Sequence, residues 1–383
     1  MRVVIAPDSF KESMSAADAA DAMRRGVLAA VPDAECVLVP MADGGEGTTD
    51  ALVAALGGTL VTARVTGPMG APVEASYGWV ADERLAIIEV AAAVGLDLVP
   101  RDRRDVWHAT SRGVGELLTH ALDSGAARVI VGLGGSATND GGAGLLQCLG
   151  VRLLDEAGHD VAPGPAGLRS LVATDASGLD PRLRAVDVLV ACDVTNPLLG
   201  PSGASAVYGP QKGATEQQVP LLDAVLARLA PALDQLAGRP VCEAPGAGAA
   251  GGLGAALLAC AHAQLRPGVD VVLEAARLPA ALAGADLVLT GEGSVDAQSL
   301  HGKTPFGVAR AAAAQGVPTV VLAGRVGPGA HRLLEHGVSA IVPITRSAMS
   351  LDEALATGPA NLEQAAATTM RLIGVGARRR AAL

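Results

Sequence analysis

Residues 132–144 read GLGGSATNDGGAG, six glycines in thirteen positions, with Ser136, Thr138, Asn139 and Asp140 among them. Such a stretch lets the main chain come close to a ligand and offers hydroxyl, amide and carboxylate groups at one turn. Other short stretches gather the remaining reactive side chains. Asp8, Ser9 and Lys11 share PDSFKES, and Asp43 and Glu46 share PMADGGEGTT. Asp193 and Asn196 share CDVTNP, Lys212 lies in GPQKG, and Glu292, Asp296 and Lys303 lie in residues 291–303. Glycine loops and lysines cradle phosphate oxygens, and carboxylates hold Mg²⁺. One further carboxylate accepts the proton of an attacking hydroxyl. The residue types therefore point to a kinase or another nucleotide-phosphate enzyme. Blander readings stand beside this one: a tight turn with a helix cap for 132–144, a solvated Lys11, an Asx turn at Asp43, and Glu46 at a helix N-terminus.

Strands must deliver these loops. Residues 2–6 and 36–39 are apolar runs that read as strands emptying toward Asp8 and Asp43. Ser15, with Asp18 three residues on, caps a predicted helix over 16–30. Residues 128–131 lead into the 132–144 loop, 186–191 lead to Asp193, and 286–290 lead to Glu292. In open α/β sheets, ligands bind where strands end and helices begin. Three consecutive predicted strands, 59–66, 73–80 and 85–90, break the β-α alternation, which returns near 285. This predicts two α/β domains, one from residues 1–66 and 285–383 and the other from the inserted 67–284. Two motif matches fail. Gly246, Gly248 and Gly251 spell GxGxxG, but Pro240 and Pro245 bracket the place where a strand is needed, so close packing or an anion loop fits better than a dinucleotide fold. Gly302, Lys303 and Thr304 resemble the end of a Walker A loop, but Ala297 stands where its first glycine belongs.

The 383 residues suffice for two cores. Half the chain is apolar and 2% aromatic, so Ala, Val and Leu must fill the interior. A net charge of −10 argues against a nucleic-acid surface, and leaves an anionic substrate to a local positive pocket. The five cysteines are widely spaced with no CxxC, which fits a reducing, cytoplasmic compartment and excludes a zinc site. No stretch reads as a signal peptide or membrane span.

Taken together, residues 6–13, 40–48, 134–142, 191–198, 209–213, 245–252 and 290–303 resemble, in order and over nearly the whole chain, the bacterial class I glycerate kinase family (glycerate 2-kinases). Tyr208 departs from a commoner Phe without removing a polar group. The resemblance implies ATP-dependent phosphorylation of D-glycerate with Mg²⁺, giving the 2-phosphate. It also implies a discontinuous flavodoxin-like parallel domain, an inserted α/β domain with a mixed sheet, and an active site in the cleft between them. A glycerate 3-kinase, a kinase of a related hydroxy acid, and a non-catalytic sensor are the alternatives. Loop position then suggests roles. Gly134, Gly135, Ser136 and Thr138, with Glu292 and Lys303, would bind ATP, and Asn139 and Asp140 would lie by the metal. Asp193 is the expected general base and Asp296 the second choice. Asp8, Ser9, Lys11, Asp43, Glu46, Asn196 and Lys212 would line the substrate wall. Lys11, Lys212 and Lys303 would neutralise the acid or the transferring phosphoryl group.

Overall fold

The computed structural model describes residues 1–300 and 302–381. Its strands, in chain order, are β1 (Arg2–Ile5), β2 (Glu35–Leu38), β3 (Thr59–Thr66), β4 (Pro72–Val80), β5 (Leu85–Glu89), β6 (Arg128–Gly132), β7 (Arg152–Leu154), β8 (Ala173–Asp175), β9 (Asp187–Ala191), β10 (Gln264–Arg266), β11 (Leu287–Val295), β12 (Thr319–Val326) and β13 (Val338–Pro343). The chain divides into two compact units.

The first unit comprises Met1–Asp43, Asp50–Gly57 and Val269–Leu383. Its sheet runs β13-β12-β11-β1-β2, and every neighbouring pair is parallel. Read from the other edge this is the flavodoxin-like order, with its switch point between β1 and β11. A parallel sheet needs both faces covered. One face packs Val3, Ile5, Leu289 and Leu322 against Met23 and Val27 of helix Ala16–Ala30 and Leu362 of helix Gly358–Ala381. Those two helices lie close because Gly26 has no Cβ to strike the Glu363 carbonyl. The other face packs Val295, Val321 and Ala323 against Ala309 and Leu333. The expected cap is present: Ser15 accepts the Asp18 amide at the start of helix Ala16–Ala30.

The second unit comprises Gly44–Thr49 and Gly58–Gly268. Its mixed sheet runs β10-β9-β6-β5-β4-β3, parallel from β10 to β5 and antiparallel from β5 to β3. Ile88, Val129 and Val131 pack with Leu117 and Leu118 of helix Arg112–Asp123 and with Leu145, Leu226, Leu229 and Leu253. Each such buried side chain contributes roughly 1.5–3 kcal/mol.

The unit boundaries differ from the sequence reading. Residues 59–66, assigned there to the first domain, pair antiparallel with β4 from Thr59–Trp79 to Thr66–Pro72, a hairpin that ties β3 to the second unit. At the other end Val269, not residue 285, begins the return. Helix Gly268–Ala275 packs on helix Thr304–Ala313 so closely that a Cβ on Gly307 would meet Val269. β11 also outruns the expected 286–290, because Gly291 lets the strand continue beside the Leu322 carbonyl. Glu292 therefore stands in a strand, not a loop.

Candidate active site

In the second unit, the loops after β6 and β9 enclose a cavity of about 210 Å³. Gly134, Gly135, Ser136, Asp193 and Lys212, all singled out from sequence, line it together with Gly44, Gly45 and Tyr208. Lys212 is 2% exposed; its Nζ donates to the Thr138 carbonyl at 2.6 Å and to Ser136 Oγ at 3.1 Å. Burial pushes its ammonium down to about 7, against the opposing pull of the Asp140 charge. Asp193 is exposed at the mouth of β9, and its Oδ1 accepts the Gly268 amide at 2.8 Å. A buried cation, backbone turns of glycine and a carboxylate open to water are thus gathered at strand ends, where charge on a phosphoryl group can be met.

Asp140 and Asn139 are set into the interior of the second unit. Asp140 is fully buried and accepts from the Ser111 amide, Ser111 Oγ and the Gly142 and Gly144 amides. Three of those donors meet Oδ2 and one meets Oδ1, so the carboxylate is largely engaged in holding the loop. Burial pushes its pKa up and the donors pull it back. Asn139 is equally buried; its amide nitrogen donates to Ser205 Oγ, while its Oδ1 meets no hydrogen-bond donor among the described residues. Both hold the loop to its surroundings. Asn196 is half-buried: its amide nitrogen donates to the Ser202 carbonyl and its Oδ1 accepts the Tyr208 hydroxyl at 2.6 Å, so that it positions Tyr208.

In the first unit, Asp8 follows β1 and Glu292 lies within β11, the two strands that flank the switch point of the sheet, each 8% exposed. Asp8 accepts from Thr304 Oγ1 at 2.6 Å and from the Ser9 amide. Glu292 accepts from Ser299 Oγ at 2.9 Å, with Lys303 Nζ 3.5 Å from its other oxygen. Burial, helped by the Asp43 charge, pushes Asp8 up to about 6. Burial, helped by Asp8 and opposed by Lys303, pushes Glu292 up to about 7. Two buried carboxylates, both pushed up by burial and Glu292 also by Asp8, suit a divalent cation, which would relieve both charges. Among the described residues, no three His, Cys, Asp or Glu side chains form a metal cage; Mg²⁺ typically uses only one or two carboxylates and keeps water and phosphate oxygens. Asp296 spends Oδ1 on the Gln298 amide in a turn. Asp43 is half-buried, while Lys11 and Glu46 are exposed.

Sequence reading missed Ser111, Thr304, Tyr208 and Glu89. Glu89 ends β5 and accepts the Thr49 amide at 2.7 Å, fixing the second glycine loop within its own unit. The GxGxxG stretch proves to be packing, as its lack of a preceding strand suggested. A Cβ on Gly251 would strike the Thr138 carbonyl, the same oxygen that Lys212 uses.

Comparison with known proteins gives a consistent picture. The model of the "Glycerate kinase family" matches residues 3–374. A glycerate kinase of Bacillus subtilis (strain 168) is 49% identical, covering 96% of each chain. A glycerate 2-kinase of Escherichia coli (strain K12) is 46% identical, covering 99% of each. A crystal structure from Salmonella typhimurium LT2, assigned as a glycerate kinase 2, matches with a TM-score of 0.91 and 48% identity over 99% of both chains.

Proposed function

Because the chain belongs to the glycerate kinase family, we propose that it transfers the γ-phosphoryl group of ATP to the 2-hydroxyl of D-glycerate, giving 2-phospho-D-glycerate and ADP. The observation that carries this reading is the cavity in which Lys212, Asp193 and the 134–136 turn converge. Asp193, open to water at a strand mouth, accepts the hydroxyl proton as the oxygen attacks phosphorus. The glycine turn and Ser136 offer donors to the transferring group, and Lys212 meets the acid. Asp8 and Glu292 would hold Mg²⁺, whose chemistry is to spread the negative charge of the phosphates. Lys303, beside Glu292, is placed to balance charge in that unit. The five free cysteines fit a reducing cytoplasm. No helix of the described residues is long and apolar enough to cross a membrane.

The test is direct. With MgATP and D-glycerate the protein should release ADP stoichiometrically with one phosphoglycerate, and phosphorus NMR should identify the 2-ester. Absence of ADP release would leave a binding protein; a 3-ester would move the acceptor hydroxyl.

A further inference from the structure

Of the side chains lining the 210 Å³ cavity, only Lys212 can carry positive charge. Its nitrogen has two acceptors, the Thr138 carbonyl and Ser136 Oγ. Two acceptors satisfy both hydrogens of a neutral amine, whereas an ammonium would turn a third N–H into the cavity. The charges around it compensate an ammonium only in part: the Asp140 carboxylate favours it but is already held by four donors. Arg104 donates to the Gln211 carbonyl, one residue away, and brings positive charge to that side. Cys192 and Tyr208 also line the cavity, and burial pushes both up, so they stay neutral near pH 8. Asp193 is the one lining carboxylate, and it is exposed to water. The volume also restricts the guest: about 210 Å³ lies below the roughly 300–1,000 Å³ that drug-sized ligands occupy, so a three-carbon acid fits and a whole nucleotide does not.

We propose that Lys212 rests as the neutral amine and becomes an ammonium when the carboxylate of D-glycerate enters, so that binding the acid takes up one proton from solvent. The proposal rests on the kinase reading above and adds to it which ligand this cavity receives. The carboxylate supplies both the missing counter-charge and the third acceptor. No bond of the acid breaks; the amine gains one proton, delivered by water or buffer. The lysine pKa, lowered by burial to about 7, agrees with the geometry.

Titration calorimetry of the full chain with D-glycerate at pH 8, in HEPES and in Tris, measures the proton directly. Nearly one proton should be taken up. In turnover with saturating MgATP, KM for D-glycerate should rise about tenfold per pH unit above 8, while KM for ATP stays flat. Lys212→Arg, whose guanidinium stays charged, should bind D-glycerate without buffer dependence and flatten the KM profile. A flat D-glycerate profile in the wild type overturns the proposal, as does proton uptake retained in Lys212→Arg. Uptake on titrating ADP instead of D-glycerate overturns the choice of ligand. If Lys212→Arg does not fold, the wild-type KM profile alone decides. Phosphoryl transfer without proton uptake rejects this inference and leaves the kinase reading intact; absence of transfer rejects the kinase reading.

Discussion

Asp140 and Asp193 look alike in the sequence: each follows a strand and sits among small polar residues. The structure separates them by solvation. Asp140 is closed off and held by four donors, so it works as a staple for the 132–144 loop. Asp193 is exposed, and its Oδ1 accepts the Gly268 amide. That difference was not legible beforehand, because Ser111, which supplies half of the Asp140 donors, lies 29 residues away in sequence. The consequence is a crossed pair of variants. Asp140→Asn turns one oxygen into a donor facing donors, which should cost about 1–3 kcal/mol in chemical denaturation. Asp193→Asn should leave the denaturation midpoint in place and lower kcat by about 10²–10⁴ with ATP affinity little changed. A stable, inactive Asp140→Asn, or an active Asp193→Asn, would exchange the two roles.

At the scale of an element, most strands and helices follow from local pattern. Helix Ala16–Ala30 was marked by its cap, and the glycine loops by their composition. What pattern does not encode is the partner. The run 59–66 alternates convincingly, yet only pairing with β4 decides its sheet. Segment 249–252 shows the same limit. Its glycines were legible as close packing, but not that Ala250 would adopt a left-handed conformation (φ 51°) beside the cavity. That conformation costs a non-glycine residue about 1 kcal/mol. Ala250→Gly should therefore be neutral or stabilising by up to about 1 kcal/mol, after the entropy lost by the freer unfolded chain. Gly251→Ala should do the opposite. Its new Cβ meets the Thr138 carbonyl, at φ +70°, and pushes away the acceptor that holds Lys212. Thermal melts should show a lower midpoint, and KM for D-glycerate should rise.

At the scale of the whole molecule, the sequence showed two α/β parts and missed their seams by a hairpin and a helix, because a seam is set by packing partners rather than by local pattern. Within the first unit, burial of Asp8 and Glu292 has a consequence for the stability of the entire chain. Both have raised pKa values, from 3.8 to about 6 and from 4.5 to about 7. The folded protein therefore keeps protons that the unfolded chain releases, so stability falls as pH rises through about 4–6 for Asp8 and 4.5–7 for Glu292. Each group contributes at most about 3 kcal/mol. Urea midpoints measured in EDTA should decline across that window, and Glu292→Gln should remove the upper part of the decline. If the pair holds Mg²⁺, adding the ion near pH 7 should raise the wild-type midpoint, because the cation replaces the lost protons. At pH 4.5, where both carboxyls are protonated, the same addition should have little effect. Equal stabilisation of the wild type, Glu292→Gln and Asp8→Asn by Mg²⁺ would place the ion elsewhere.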